Sequence, residues 1–239
     1  MAKKGLNTNQ IKLIAAVSML LDHVGYFLFP TVTVFRILGR LAFPIFAFCL
    51  AEGCRYTKNR LRYWLSISIC AVVFQAVAVF SVGGFGLSFS PAVIFSIPVN
   101  IFGTLAVAIL LCYLFDFTKT RKIGGFLLLG LAVFAVYVLS RYVEFDYGFL
   151  GILLPLSAYV FETNAETSVG KWAKYLSFSL VLATLSALSG WSVQYYSLLA
   201  VPILSLYNGQ YGSKRFKYWF YVFYPLHLIL IYGIQFLIK

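Results

Sequence analysis

The chain has 239 residues, of which 62% are hydrophobic and only 11% charged, and its mean hydropathy is +0.89. No water-soluble domain of this size exposes so apolar a surface without aggregating, so the soluble classes are excluded and the expected fold is all-α, a polytopic membrane bundle. A net charge of +12, from 19 Lys and Arg against 7 acids, would suggest nucleic acid in a soluble chain. Here the basic residues lie mostly in short loops between apolar runs, which reports topology rather than a polyanion groove.

A hydrocarbon core about 30 Å thick needs roughly 20 apolar helical residues per crossing. Nine segments qualify: 8–28, 35–53, 61–82, 92–117, 123–142, 147–162, 172–189, 191–207 and 216–238. The first begins like a secretory signal, but no small-residue cleavage site follows and the stretch runs on into Asp22 and His23, so it is expected as a retained helix. The fourth carries Pro91 and Pro98 and the sixth is short, so tilting or kinking is expected in both. Cys49, Cys54, Cys70 and Cys112 show no CxxC spacing and are expected as packing residues, with no disulfide framework and no metal site. With no linker, repeat or low-complexity tract, residues 1–239 are expected to form a single membrane domain.

Loop charge alternates. Lys3, Lys4 and Lys12 stand at the first segment; Arg55, Lys58, Arg60 and Arg62 follow the second; Lys119, Arg121 and Lys122 the fourth; Lys171 and Lys174 the sixth; Lys214, Arg215 and Lys217 the eighth. The intervening connections are nearly uncharged, which predicts a cytoplasmic N-terminus and an external C-terminus.

Apart from the loop charges, the ionisable residues singled out by depth are Asp22, His23, Arg36, Arg40, Glu52, Arg141, Glu144, Asp146 and His227. All but Glu52 fall at mid-depth or in the outer half of their segments. A charge near the bilayer centre costs about 2.5–3.5 kcal/mol on insertion scales, so a group of them on one side predicts a hydrated, protein-lined cavity. Neighbours on a helix diverge by about 100°, so Asp22 and His23 each need a partner from another helix. Arg36 and Arg40 share a face and are the natural counter-charges for Asp22. His23 is then left to handle a proton, its ordinary pKa near 6.5 suiting a base at neutral pH. The plainer alternatives are that Asp22 and His23 only lock the first two segments together, that His227 simply bonds a neighbouring carbonyl, that Arg36 snorkels to the interface, that Arg141 and Glu144 form a local ion pair, and that Glu52 caps a helix end near Arg55. The basic loops could attract the phosphates of a nucleotide-like ligand, although topology alone explains them.

The runs "IKLIAAVSMLLDHVGYFLFP", "FRILGRLAFPIFAFCLAEGCRYTKN", "DYGFLGILLPL" and "LYNGQYGSKRFKYWFYVFYPLHLILIY" together closely resemble the TraX-like family, named for conjugal-transfer proteins that acetylate the N-terminus of pilin. The similarity spans the first segment to the ninth in order. By motif, Asp22 and His23 correspond to the DH pair; Gly39, Arg40 and Pro44 to the second-segment motif; Asp146 and Gly148 to the DYG motif; Asn208 and Gly209 to the NG motif; and Tyr224, Pro225 and His227 to the last.

The resemblance implies a bacterial, multi-pass enzyme of the cytoplasmic membrane that transfers an acetyl group from acetyl-CoA to an amine or hydroxyl. The acceptor would be a peptide, glycan or lipid-linked molecule at or beyond the outer face. Membrane lipids are the other expected partner, and neither a metal nor nucleic acid is expected. His23 would take the acceptor's proton, with Asp22 and Arg40 holding the local charge. Arg36, Asn100, Asp146, Tyr224 and His227 are the expected substrate contacts, and Arg55, Lys58 and Asn208 the expected coenzyme contacts. A proton-coupled exporter, whose buried His, Asp and Arg form a relay, is the competing expectation, and a scaffold that only binds partner helices is the third.

Overall fold

A computed structural model of the protein describes residues 5–83, 97–161, 168–213 and 216–238. The described residues form α1 (Thr8–Phe27), α2 (Thr33–Gly39), α3 (Ala42–Tyr56), α4 (Arg60–Gly83), α5 (Ile101–Thr120), α6 (Lys122–Leu139), α7 (Gly148–Tyr159) and α8 (Ser168–Leu188). They continue with a 3-10 helix (Ser192–Leu199), α9 (Ala200–Ser205) and α10 (Phe216–Ile238), with no strand among them.

Several expected boundaries move, each for a local reason. The second segment, expected as one helix, breaks between α2 and α3 at Arg40 and Leu41. Pro44 brings no N–H to the Arg40 carbonyl and its ring crowds that carbonyl, so the helical ladder loses a bond at Arg40, where the break falls. The eighth segment, expected as a helix over 191–207, is a 3-10 helix followed by one short α-helical piece. Pro202 bears on Leu198 in the same way. The fourth begins only at Ile101, where the Asn100 side chain accepts from the amides of Phe102 (3.0 Å) and Gly103 (3.3 Å), an N-cap that fixes the helix start. Residues 92–96 of that segment, with Pro91, lie outside the described residues. The seventh starts early, at Ser168, so Lys171 and Lys174 are helical and not loop charges. Lys174 is only 1% exposed, its Nζ lying 4.3 Å from the centre of the Phe48 ring.

The chain divides into two compact units, Met1–Cys49 with Thr163–Lys239, and Leu50–Glu162, the division falling within α3. In the first unit Phe48 is central, parallel to Tyr175 at 6.0 Å and met edge-on by Phe178 and Tyr207. Ala15 and Ala16 of α1 are fully buried, as small side chains must be where helices approach closely. The two ends of this unit's sequence are stitched together: Leu6 N donates to Leu206 O (2.8 Å), Asn208 N to Leu6 O (3.0 Å) and Thr8 N to Gln210 O (3.0 Å). In the second unit, α5 and α7 bury Ala108, Ile109, Cys112, Ile152, Leu154 and Ala158. The start of α5 is tied to the turn before α7 by Val99 N to Glu144 O (2.7 Å) and Asp146 N to Val99 O (2.9 Å).

Among the described residues three helical stretches are long and apolar enough to cross a membrane: Thr33–Tyr56, which spans α2, the break and α3, then Arg60–Val79 and Ile101–Thr120. Shorter apolar helices accompany them. Large apolar side chains are exposed along α6, among them Ile123, Leu127, Leu131 and Phe134. Such a face is unfavourable in water and favourable against lipid tails.

Candidate active site

The polar groups of the first unit gather where α1 meets α2, the 3-10 helix and α10. Two glycines allow α1 and α2 to approach. A Cβ on Gly39 would collide with the backbone and side chain of Asp22, and one on Gly25 would press on the Cβ of Phe35. With both side chains absent, the Asp22 carboxylate lies between two guanidiniums, Oδ1 to Arg40 Nη2 at 2.5 Å and Oδ2 to Arg36 Nη1 at 2.9 Å. The break after α2 serves this arrangement, because Arg40 occupies the α2 C-cap, one turn beyond Arg36. Arg36 also lies over the Tyr26 ring at 5.2 Å. Arg40 is 7% exposed and gives its other terminal nitrogen, Nη1, to Gln194 Oε1 at 3.3 Å.

His23, one residue on from Asp22, takes a separate partner. Its Nδ1 is 2.8 Å from His227 Nε2, and the two rings are 5.0 Å apart and inclined by 27°, meeting edge to edge. The second nitrogen of His227, Nδ1, lies 2.9 Å from the Phe223 carbonyl oxygen. His227 is 3% exposed, whereas His23 is only partly buried. The rings of Phe223 (5.1 Å, nearly parallel) and Tyr224 (5.4 Å, edge-on) pack on His227. Pro225, which follows Tyr224, has no N–H for the helix ladder.

The chemistry of these bonds fixes the protons. A carbonyl oxygen only accepts, so His227 Nδ1 carries a hydrogen and, in the neutral ring, Nε2 presents a lone pair. His23 Nδ1 must then donate to it, which leaves the lone pair of neutral His23 on Nε2. The arrangement can therefore accept a proton at one defined atom. The ionic cluster beside it, two arginines against one aspartate, carries a net charge of +1 (2 − 1).

Of the residues singled out in the sequence, Asp22, His23, Arg36, Arg40, Tyr224 and His227 thus come together in the first unit. Asn208 belongs to that unit but makes a turn, donating from Nδ2 to Gly5 O (3.1 Å) and accepting from Gln210 N (2.9 Å), with Gly209 left-handed beside it. The other four lie in the second unit. Asn100, besides capping α5, donates to Ala71 O (2.7 Å) and Gln75 Oε1 (2.9 Å) of α4. Asp146 is exposed and its carbonyl accepts from Thr104 Oγ1 (2.9 Å), just before the left-handed pair Tyr147 and Gly148 that turns the chain into α7. Arg55 pairs with Glu52 at 3.5 Å and donates to the carbonyls of Ala158, Tyr159 and Phe161 at the end of α7. Lys58 is exposed.

Sequence reasoning missed Gln194, whose only signal is an amide within an apolar segment. It also missed Asp116, which receives Arg60 (2.5 Å), Lys119 (3.4 Å) and the Tyr159 hydroxyl (2.7 Å). Among the described residues no group of three or more His, Cys, Asp or Glu could hold a metal ion.

Apolar helical stretches of membrane-crossing length, with shorter apolar helices beside them in the sequence, define an integral membrane protein. The chain belongs to the TraX family: the model described as TraX protein matches residues 7–235. A probable fimbrial assembly protein, FimC of serogroup H1, from Dichelobacter nodosus is 25% identical over 234 residues, 93% of each chain. An uncharacterised protein of Rickettsia prowazekii (strain Madrid E) is 27% identical over 153 residues, 63% of this chain and 54% of that one, so the chain matches about half of that relative's length. No solved structure matches the chain.

Proposed function

We propose that this protein is an integral membrane acyltransferase that moves an acetyl group from acetyl-CoA to an amine or hydroxyl on a peptide, glycan or lipid-linked acceptor at or beyond the outer face. The observation that carries the proposal is the chain from Phe223 O through His227 to His23, which makes His23 Nε2 the proton-accepting atom. As the acceptor's nitrogen or oxygen attacks the thioester carbonyl, His23 takes its proton. The new bond to carbon forms, the carbon–sulfur bond breaks, and His23 returns the proton to the departing thiolate. Arg36 and Arg40, sharing one carboxylate, leave one positive charge in the cluster to favour the negative charge developing on the carbonyl oxygen. Asp22 holds both guanidiniums in place.

In this reading the chain crosses the bacterial cytoplasmic membrane nine times, with its N-terminus inside, and the coenzyme enters from the basic inner side. Lys58, exposed between α3 and α4, would meet its phosphates, whereas the Arg55 guanidinium is engaged by carbonyls. The name of the Dichelobacter relative supports a peptide of a surface fibre within the acceptor range.

The test is acceptor-dependent release of free thiol from acetyl-CoA by purified protein in lipid nanodiscs. His23→Ala should lower it by about 10²–10⁴-fold without changing thermal unfolding. Wild-type protein that releases no thiol with peptide, glycan or lipid-linked acceptors, yet dissipates a pH gradient in proteoliposomes, would replace the enzyme with a proton-coupled exporter.

A further inference from the structure

Gln194 lies on the 3-10 helix and is 4% exposed. Its backbone is anchored, its N–H donating to Trp191 O (2.9 Å) and its carbonyl accepting from Ser186 Oγ (3.1 Å), while Ser186 Oγ also meets Ser197 Oγ at 3.2 Å. Arginine has five N–H donors and no acceptor, so the atom facing Arg40 Nη1 at 3.3 Å must be the amide oxygen. The orientation of the amide is thereby settled by chemistry, and Nε2 points the other way. There its hydrogens meet no acceptor from any described residue. A buried amide donor without an acceptor is a standing cost that native structures seldom keep, so its retention calls for an explanation.

Position supplies one. The two terminal nitrogens of the Arg40 guanidinium hold Gln194 on one side and Asp22 on the other, and Asp22 directly precedes His23. The unused donor is therefore one guanidinium away from the residue bonded to the proton-accepting histidine, within the same positively charged cluster. What such a donor binds is a carbonyl or anionic oxygen.

We propose that Gln194 Nε2 donates a hydrogen bond to the carbonyl oxygen of the transferred acyl group and holds it as charge develops on it, the Arg40 guanidinium on the far side of the amide fixing its orientation. The assignment rests on the acyltransferase reading above and adds to it a residue and the atom it recognises. Gln194 is in these terms a catalytic residue, and Arg40 both supplies charge and sets the amide's orientation.

Gln194→Glu separates this role from a structural one. The carboxylate still accepts from Arg40, so the local packing is kept, but no donor remains at the other oxygen and a negative charge faces the substrate. Gln194→Met removes both functions at nearly the same volume. Acetyl-CoA carrying a carbon-13 label at the carbonyl is bound to His23→Ala protein in nanodiscs, and its carbonyl stretch is read by infrared difference spectroscopy. With Gln194 the stretch should lie below that of free acetyl-CoA, and with Glu or Met at this position it should return to the free value. In the background with His23 intact, Gln194→Glu should lower kcat by about 10²–10³-fold with the thermal midpoint retained. Acetyl-CoA that binds with the same carbonyl stretch in all three proteins overturns this assignment alone. Failure of acetyl-CoA to bind even with Gln194 present overturns the acyltransferase reading and this assignment together.

Discussion

At the scale of single residues, the account turns on which hydrogens are fixed by partners that can only accept or only donate. The Phe223 carbonyl dictates the tautomer of His227, and His227 that of His23. His227→Ala should therefore lower kcat for thiol release by less than His23→Ala does and leave KM for acetyl-CoA unchanged, because the base remains but its tautomer is no longer imposed. A fall in binding with kcat intact would mark His227 as a substrate contact instead. Asp22→Asn leaves two guanidiniums without their shared counter-charge. The side chains retain some exposure (17% for Asp22, 18% for Arg36), so the loss belongs at the lower end for buried pairs, about 3 kcal/mol, read from thermal unfolding. Adding Arg36→Gln should recover part of it, and no recovery would contradict the charge argument. That Arg36 and Arg40 are the counter-charges of Asp22 was legible from spacing, since the two stand four apart and share a helix face. The partner of His23 was not: His227 lies 204 positions further on, and only tertiary packing joins the two.

At the scale of elements, prolines and glycines decide where helices stop and how near they come. The apolar runs announced helices, but hydropathy does not register that Pro44 interrupts the ladder at Arg40 or that Pro202 confines its segment to a 3-10 helix and a short α-helical piece. These two breaks place Arg40 and Gln194, so the unpredicted part of the fold is the part that builds the site. Asn100 shows the converse. It stands among the expected substrate contacts by resemblance, and in the structure its side chain caps α5 and ties it to α4. Asn100→Ala should cost about 1–2 kcal/mol in unfolding free energy and leave thiol release per folded molecule unchanged; a selective loss of turnover would restore the substrate role. Gly39→Val should do the reverse, driving α1 and α2 apart at Asp22, so that turnover falls steeply in protein that still inserts.

At the scale of the whole molecule, composition was the most informative property. The apolar excess required a membrane, and the structure supplies three helices of crossing length, with the outward apolar face of α6 to match. Loop charge further predicts an external C-terminus, which a C-terminal tag accessible to an impermeant reagent on intact cells would report; a tag reached only after permeabilisation would reverse the sidedness of the site. Lys174 shows where charge counting stops working, because a lysine placed by pattern in a loop is buried over an aromatic ring instead. In the proposed reaction one imidazole nitrogen, His23 Nε2, collects the acceptor's proton during acyl transfer. Acceptor-dependent thiol release from acetyl-CoA by wild-type and His23→Ala protein in nanodiscs tests this: the first should turn over and the second at least a hundredfold less at equal folding, and equal rates in the two would rule His23 out as the proton acceptor.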